Sequence, residues 1–384
     1  MNKRLLEDIT SLFKVNLAVK RGERVIVFTD ELPPLEGMSK EEVRKGRDLL
    51  KLTRQVAEVG EGLCKCSFLS YPSLGSHGTE PPRVAWEATF GGGVVEALEE
   101  SGLFSRIADK SITPPLLRRA EEVIRGVIKG RKRKSGVDAV IAMSRFSTSH
   151  TRFRGLLCAL KGVRYASMPL FERSMFAGPM RGDWKELALR TELLAETIRG
   201  SREVIITTPN GTDLRLAIKG RPVLADTGIL NSPGAFSNLP AGEVFLAPLE
   251  GKAEGRLVLE WAPTRRLVSP VILYVRNGIV TRVAGREPYA DELRQTLKKN
   301  RNFRNIAELG IGTNERAERP DNILESEKIM GTIHIALGDN ATFGGKVKTP
   351  FHQDFVFFHP TLSLAKGRRK VDILREGKLI VAGE

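Results

Sequence analysis

Up to about residue 200 the apolar positions alternate between two rhythms. In LLEDITSLFKVNL, Leu5, Ile9 and Leu12 fall on one helical face. GERVIVFTDE follows as a short, nearly continuous apolar run, the mark of a strand buried on both faces. SKEEVRKGRDLLKLTRQVAEVG opens with Ser39 and Glu42 in capping-box spacing and predicts a helix. The helical PPLLRRAEEVIRGVIKG leads to a second buried strand, GVDAVIAMS, and GDWKELALRTELLAETIRGS repeats the capping logic at Asp183 and Glu186 before ending at Gly200. Strands alternating with helices predict an α/β layer with a largely parallel sheet.

Beyond residue 200 the texture changes. REVIITTPNGTDLRLAIKG reads as two strands about an Asn-Gly turn. RLVLEWAP, SPVILYVRNGIVTRVAG, GTIHIALG, FHQDFVFFHP and VDILREGKLIVAGE are further short strands, interrupted by one helix over roughly 287–300. The expected organisation is an α/β domain over 1–200 and a β-rich domain over 201–384. A length of 384 residues also fits two cores better than one.

Composition narrows the classes. Glu7, Asp8 and Lys14 interrupt the run where a signal peptide needs an apolar core, and no apolar stretch approaches the roughly 20 residues of a membrane span. Cys64, Cys66 and Cys158 cannot form a disulfide framework, and a cytoplasmic protein with reduced thiols is expected. The net charge of +15 raises nucleic-acid binding, but the strongest basic run, KGRKRKSG at 129–136, contains no aromatic on which a base could stack. Nucleic acid is therefore not an expected partner. The glycines of TFGGGVVEALEE lack the spacing of a nucleotide fingerprint and read as a tight turn.

The chemistry concentrates near the end. Of five histidines, His334, His352 and His359 fall within 331–362. Strand alternation puts His352 and Asp354 on one side of FHQDFVFF, and groups His334 with Thr332 and Ala336, opposite Ile333, Ile335 and Leu337. Glu308 stands alone in NIAELGIGTN, on the face of Ile306 and Gly310, and Glu243 stands alone in NLPAGEVFLAP. A carboxylate buried in a strand is costly unless paired or metal-bound. Imidazole and carboxylate together suit Zn, Co, Mn or Fe. His359, His150 and His77 lack such company and read as structural.

NLPAGEVFLAPLEGKAEGRLVLE, AELGIGTN, EKIMGTIHIALGDN and HQDFVF, in that order, resemble the M29 family of metallo-aminopeptidases, the leucyl aminopeptidase or aminopeptidase T group. ERVIVFTDE, STSHTRFRGLLCALKGVRYASMP and PNGTDLRLAIKGRPVLADTG extend the likeness over most of the chain. The resemblance implies an α/β domain followed by a β-rich catalytic domain, homodimers, and two divalent metal ions (Zn, Co or Mn). It places Glu243, Glu308, His334, His352 and Asp354 at the metal ligands. The implied activity is removal of N-terminal residues from peptides with a free N-terminus, through a water shared by the two ions.

Glu327 is the candidate general base, because a glutamate precedes the histidine motif in that family. Two departures stand against a peptidase. Glu327 lies seven residues before His334, and GDNATFGG lacks the tyrosine that the peptidases carry there. Glu327 followed by Lys328 equally fits a surface ion pair. The same fold family looks to include a ring-opening dioxygenase acting on dihydroxypyridines with one iron, for which His334, His352 and Asp354 would supply a facial triad.

Overall fold

The computed structural model describes residues 1–34, 36–130, 136–366 and 369–380; most of the basic run at 129–136 lies outside them. The chain forms two compact units, Met1–Arg181 with Gly228–Pro240, and Gly182–Thr227 with Ala241–Glu384. Strands are numbered in chain order.

The first unit is the expected α/β layer. Its sheet runs in the order β2 (Lys65–Tyr71), β1 (Arg24–Asp30), β3 (Ala139–Ala142), β4 (Arg164–Ser167) and β8 (Phe236–Asn238), every neighbouring pair parallel. Val25–Phe28 and the whole of β3 are buried, as unbroken apolar strands between helical layers must be. Ser39 and Glu42 form the reciprocal capping box that starts the helix Lys40–Glu61. The brief β8 lies in a stretch with no strand periodicity, and it returns to this sheet after an excursion into the second unit.

The second unit is β-rich and antiparallel. An eight-stranded sheet has the order β12 (Ile279–Ala284), β11 (Arg265–Arg276), β10 (Ala253–Ala262), β6 (Asp213–Ala217), β5 (Glu203–Thr207), β16 (Thr361–Lys366), β17 (Arg369–Arg375) and β18 (Lys378–Leu379). A five-stranded sheet has the order β15 (His352–Phe357), β14 (Ile333–Gly338), β13 (Ile306–Gly312), β9 (Glu243–Leu246) and β7 (Leu224–Asp226). The two sheets share one core. Val244, Leu246, Leu309, Ile311, Ile333, Ile335, Leu337, Phe355 and Phe357 from the smaller sheet pack with Val204, Ile206, Leu214, Leu216, Leu257, Leu259, Leu273 and Leu362 of the larger.

The division between units falls before residue 182 rather than at 200. The helix Trp184–Ile198 belongs to the second unit because Leu194, Ala195 and Ile198 enter that core. Its polar side is tied there too. The Thr191 and Thr313 hydroxyls are 2.7 Å apart, and Arg190 Nε donates to the Thr313 carbonyl at 3.0 Å. Helical periodicity shows which face is apolar but not which sheet will cover it.

Ile335 is fully buried at the centre of this core. Ile335→Ala should lower the stability of the second unit by about 2–5 kcal/mol, read as a lower denaturant midpoint in equilibrium unfolding. An unchanged midpoint would contradict the shared core.

Candidate metal centre

The strands that bury Ile333, Ile335 and Leu337 on one face turn alternate residues to the other. In register, Gly310 pairs with His334, Glu308 with Ala336, Asp354 with Ala336, and His352 with Gly338, while Glu243 pairs with Gly312 and Asp226. The period of two therefore gathers Glu243, Glu308, His334, His352 and Asp354 on a single face. One detail departs from simple alternation. A register shift between Ile306 and Glu308 sends Ile306 into the core while Glu308 stays on the polar face, so the two do not share a side. Bulges beside functional sites re-aim side chains in this way.

Small residues make the room. A Cβ on Gly310 would come within 2.0 Å of His334 Nε2, so the imidazole lies directly over that glycine. A Cβ on Gly312 would strike the Ile329 carbonyl oxygen at 2.1 Å, so the segment 328–329 crosses the sheet there. That crossing delivers Lys328 into the site. Its Nζ lies 2.6 Å from Glu243 Oε1 and 3.3 Å from Glu327 Oε2, with the side chain 1% exposed. Lys328 is therefore not half of a surface ion pair with Glu327. It is a buried counter-charge to Glu243, and the 85 residues between them along the chain hid that pairing.

The donors sort into a compact group and its neighbours. Glu308, His352 and Asp354 each offer an atom within 4.8 Å of the others. His352 Nε2 lies 3.3 Å from Glu308 Oε2 and 3.5 Å from Asp354 Oδ2. His334 Nε2 sits 3.4 Å from Glu243 Oε2 and 3.5 Å from Glu308 Oε1, bridging the group to the Lys328 side. His352 Nδ1 is 2.8 Å from the Asp339 carbonyl, an acceptor only. Nδ1 thus carries a proton, and Nε2, which faces the carboxylates, is the atom that a metal ion would take once its own proton is displaced. His334 Nδ1 is buried with no hydrogen-bond partner among the described residues. Both imidazoles and four carboxylates, Glu243, Glu308, Glu327 and Asp354, gather with Lys328 as their permanent cation, buried at Glu243, Glu308 and His334 and half-buried at His352, Asp354 and Glu327, a donor set that fits a metal ion.

Proton equilibria show the same shortage of positive charge. Burial works against charge on His334 and His352, yet the Glu308 and Glu243 carboxylates bring His334 up to about 9, and Asp354 with Glu308 holds His352 well above its usual range. Burial would raise Glu308 and Asp354, but the histidines hold both below the usual carboxylate range. Glu327 is pushed up to about 8, chiefly by burial and then by Asp354, and stays protonated near neutrality. His359, His150 and His77 are exposed and take no part.

A family profile described as NicX: 2,5-dihydroxypyridine 5,6-dioxygenase matches residues 182–380, just over half of the chain and almost all of its second unit. The chain belongs to this family. The 2,5-dihydroxypyridine 5,6-dioxygenase of Pseudomonas putida is 28% identical over 182 residues, 43% of this chain and 52% of the relative, so the match spans about half the length of that curated protein. The solved 2,5-dihydroxypyridine dioxygenase from Pseudomonas putida KT2440 superposes with a TM-score of 0.67 at 19% identity, over 99% of this chain and 97% of that one. AmpT from Thermus thermophilus superposes at 0.55 and 15% identity over 99% of each. At these identities the structures show the fold alone. The M29-like fold therefore stands, but the aminopeptidase activity expected from it does not. Membership of the NicX family overturns the reading as a protease or a peptide hydrolase. Among the described residues no helix is long and apolar enough to cross a membrane.

The raised His334 fixes a pH dependence. In chelator-treated protein its charge adds stability that is complete below about 6.5 and lost as the pH rises through about 9. The depressed Glu308 and Asp354 act oppositely: their contribution is present above the usual carboxylate pKa and lost only in stronger acid. Denaturant unfolding of chelated protein should therefore show falling stability from pH 6.5 to 9, and a divalent ion that displaces the protons should flatten that slope. A flat profile without metal would show that the two imidazoles are not held by these carboxylates.

Proposed function

We propose that the chain is a ring-cleaving dioxygenase acting on a dihydroxypyridine, with one ferrous ion held by Glu308, His352 and Asp354 and with His334 beside them. The observation that carries this reading is the sorting of the five expected ligands. Glu308, His352 and Asp354 converge within 4.8 Å, whereas Glu243 is already bound to the buried Lys328 ammonium. A second dication would have to compete with that ammonium for Glu243. One ion therefore suits the site better than the pair expected from the aminopeptidases.

When bound, ferrous iron supplies the site for O₂ activation and for a substrate hydroxyl, and three protein donors leave coordination positions open for both. The chain's own residues orient and move protons around it. Asp339 fixes the His352 ring through Nδ1. Glu308 lies within reach of both imidazoles and holds them at a fixed separation. His334, outside the compact group and held charged near neutrality, is placed to hydrogen-bond an ionised substrate hydroxyl. Glu327, protonated near neutrality, is placed to supply a proton. Phe343, whose ring lies 6.0 Å from that of His352, and Phe245, 5.8 Å beyond it, give a flat ring an apolar wall.

Two measurements test the reading together. Elemental analysis after anaerobic loading with ferrous iron should give one ion per chain, retained in Glu243→Ala and lost in His352→Ala. Oxygen uptake with 2,5-dihydroxypyridine should match ring loss mole for mole and vanish in His352→Ala. Two ions per chain, with the second dependent on Glu243, would sink the mononuclear centre. One tightly held iron without oxygen uptake on any dihydroxypyridine would sink the substrate class.

A further inference from the structure

The segment joining β14 to β15, residues 339–351, is more tightly specified than a surface loop needs to be. Asn340 is fully buried at its centre. Its side-chain oxygen accepts from Val347 N at 2.9 Å, its own amide donates to the Val347 carbonyl at 3.0 Å, and Gly345 N donates to its carbonyl at 2.9 Å. A Cβ on Gly345 would meet the Asn340 side chain at 2.0 Å, so only glycine lets the loop close this tightly. The remaining end of the Asn340 amide, Nδ2, reaches Glu250 Oε1 at 3.1 Å.

Glu250 belongs to a different part of the chain, the turn between β9 and β10. The same Oε1 accepts from Lys346 N at 2.7 Å, and Oε2 pairs with Arg221, whose guanidinium also donates to the Gly344 carbonyl. Burial works against the charge on Glu250, but its own amide, the Lys346 amide, Arg221 and Asn340 outweigh burial and hold it ionised.

Both products of this folded loop touch the candidate metal centre. Asp339, anchored through Thr349 N at 2.8 Å and through its own amide to the Phe351 carbonyl at 2.7 Å, presents the oxygen that meets His352 Nδ1. Phe343 is buried although residues 341, 342 and 344 around it are exposed. Its ring meets His352 edge-on, 6.0 Å between centroids at 88°.

We propose that Glu250 is a positioning residue for the metal centre: by holding the loop 339–351 folded, it sets the proton on His352 Nδ1 and the angle at which Nε2 is offered. This rests on the reading that His352 is a ligand. Groups that orient a metal-binding histidine typically change metal affinity by about 10–100-fold when removed.

The test compares wild type, Glu250→Ala and Glu250→Gln. Ferrous affinity is measured by chelator competition, trypsin cleavage after Lys346 and Lys348 reports the loop, and the exchange of the His352 Nδ1 proton is followed by NMR in chelated protein. Glu250→Ala should bind ferrous iron about 10–100-fold more weakly, be cut faster, and lose the slowly exchanging Nδ1 proton. Glu250→Gln, which keeps an acceptor for Lys346 N and Asn340, should recover most of the affinity. Faster cutting with unchanged affinity and an unchanged Nδ1 proton would reduce Glu250 to a loop anchor and overturn the proposal. If wild type binds no iron, the ligand reading fails by itself. The Nδ1 proton then decides the positioning role alone: its loss in Glu250→Ala supports that role and its persistence overturns it.

Discussion

The five-stranded sheet of the second unit has to satisfy two opposite environments with one set of backbone hydrogen bonds. Ile333, Ile335 and Leu337 on β14 need a dry core, while His334 between them needs polar partners, and only strict alternation serves both. A slip of one residue in β14 would bury an imidazole in the hydrophobic core and turn three aliphatic side chains toward carboxylates. The hydrophobic core therefore fixes the register that assembles the site. Where alternation would misplace a side chain, between Ile306 and Glu308, the strand bulges, and the core keeps its isoleucine while the site keeps its glutamate.

The glycines of β13 are the second consequence of that constraint. Gly310 and Gly312 occupy polar-face positions where side chains would otherwise stand. One gives its space to the His334 ring, the other to the backbone that carries Lys328. Lys328 is a demanding resident. A fully buried ammonium is tolerated only when well paired, and breaking a buried ion pair by removing one partner typically costs about 3–5 kcal/mol. Glu243, at 2.6 Å, supplies the ion pair, with Glu327 as a second partner at 3.3 Å, and the ammonium is held above its ordinary range although burial opposes it. This pair consumes the carboxylate that would otherwise be available to a second cation.

Much of this was legible in the sequence because the relevant signal has a period of two. HxD at His352 and Asp354, the lone Glu308 and Glu243, and His334 among small residues all lie where strand alternation puts them. What alternation cannot convey is contact between segments distant along the chain. Lys328 follows Glu327 in a short irregular stretch after the helical turn Ile323–Ser326, where no periodicity says which way a side chain points. Its partner is 85 residues away. The bulge before Glu308, the assignment of the helix Trp184–Ile198 to the second unit and the return of β8 to the first sheet were hidden for the same reason.

The aminopeptidase expectation, which membership of the NicX family overturns, rested on one particular step. Residue types and chain order place all five expected ligands in one set, and a set of two histidines and three carboxylates argues for two metals. Space divides that set. Glu308, His352 and Asp354 form one cluster, Glu243 and Lys328 form an ion pair, and His334 stands between them within about 3.5 Å of a carboxylate on either side. On the mononuclear reading proposed above, a lysine side chain separates two chemistries that share the same donors. The relevant variable is how many donors remain free to bind, and a buried cation changes that number without altering any ligand.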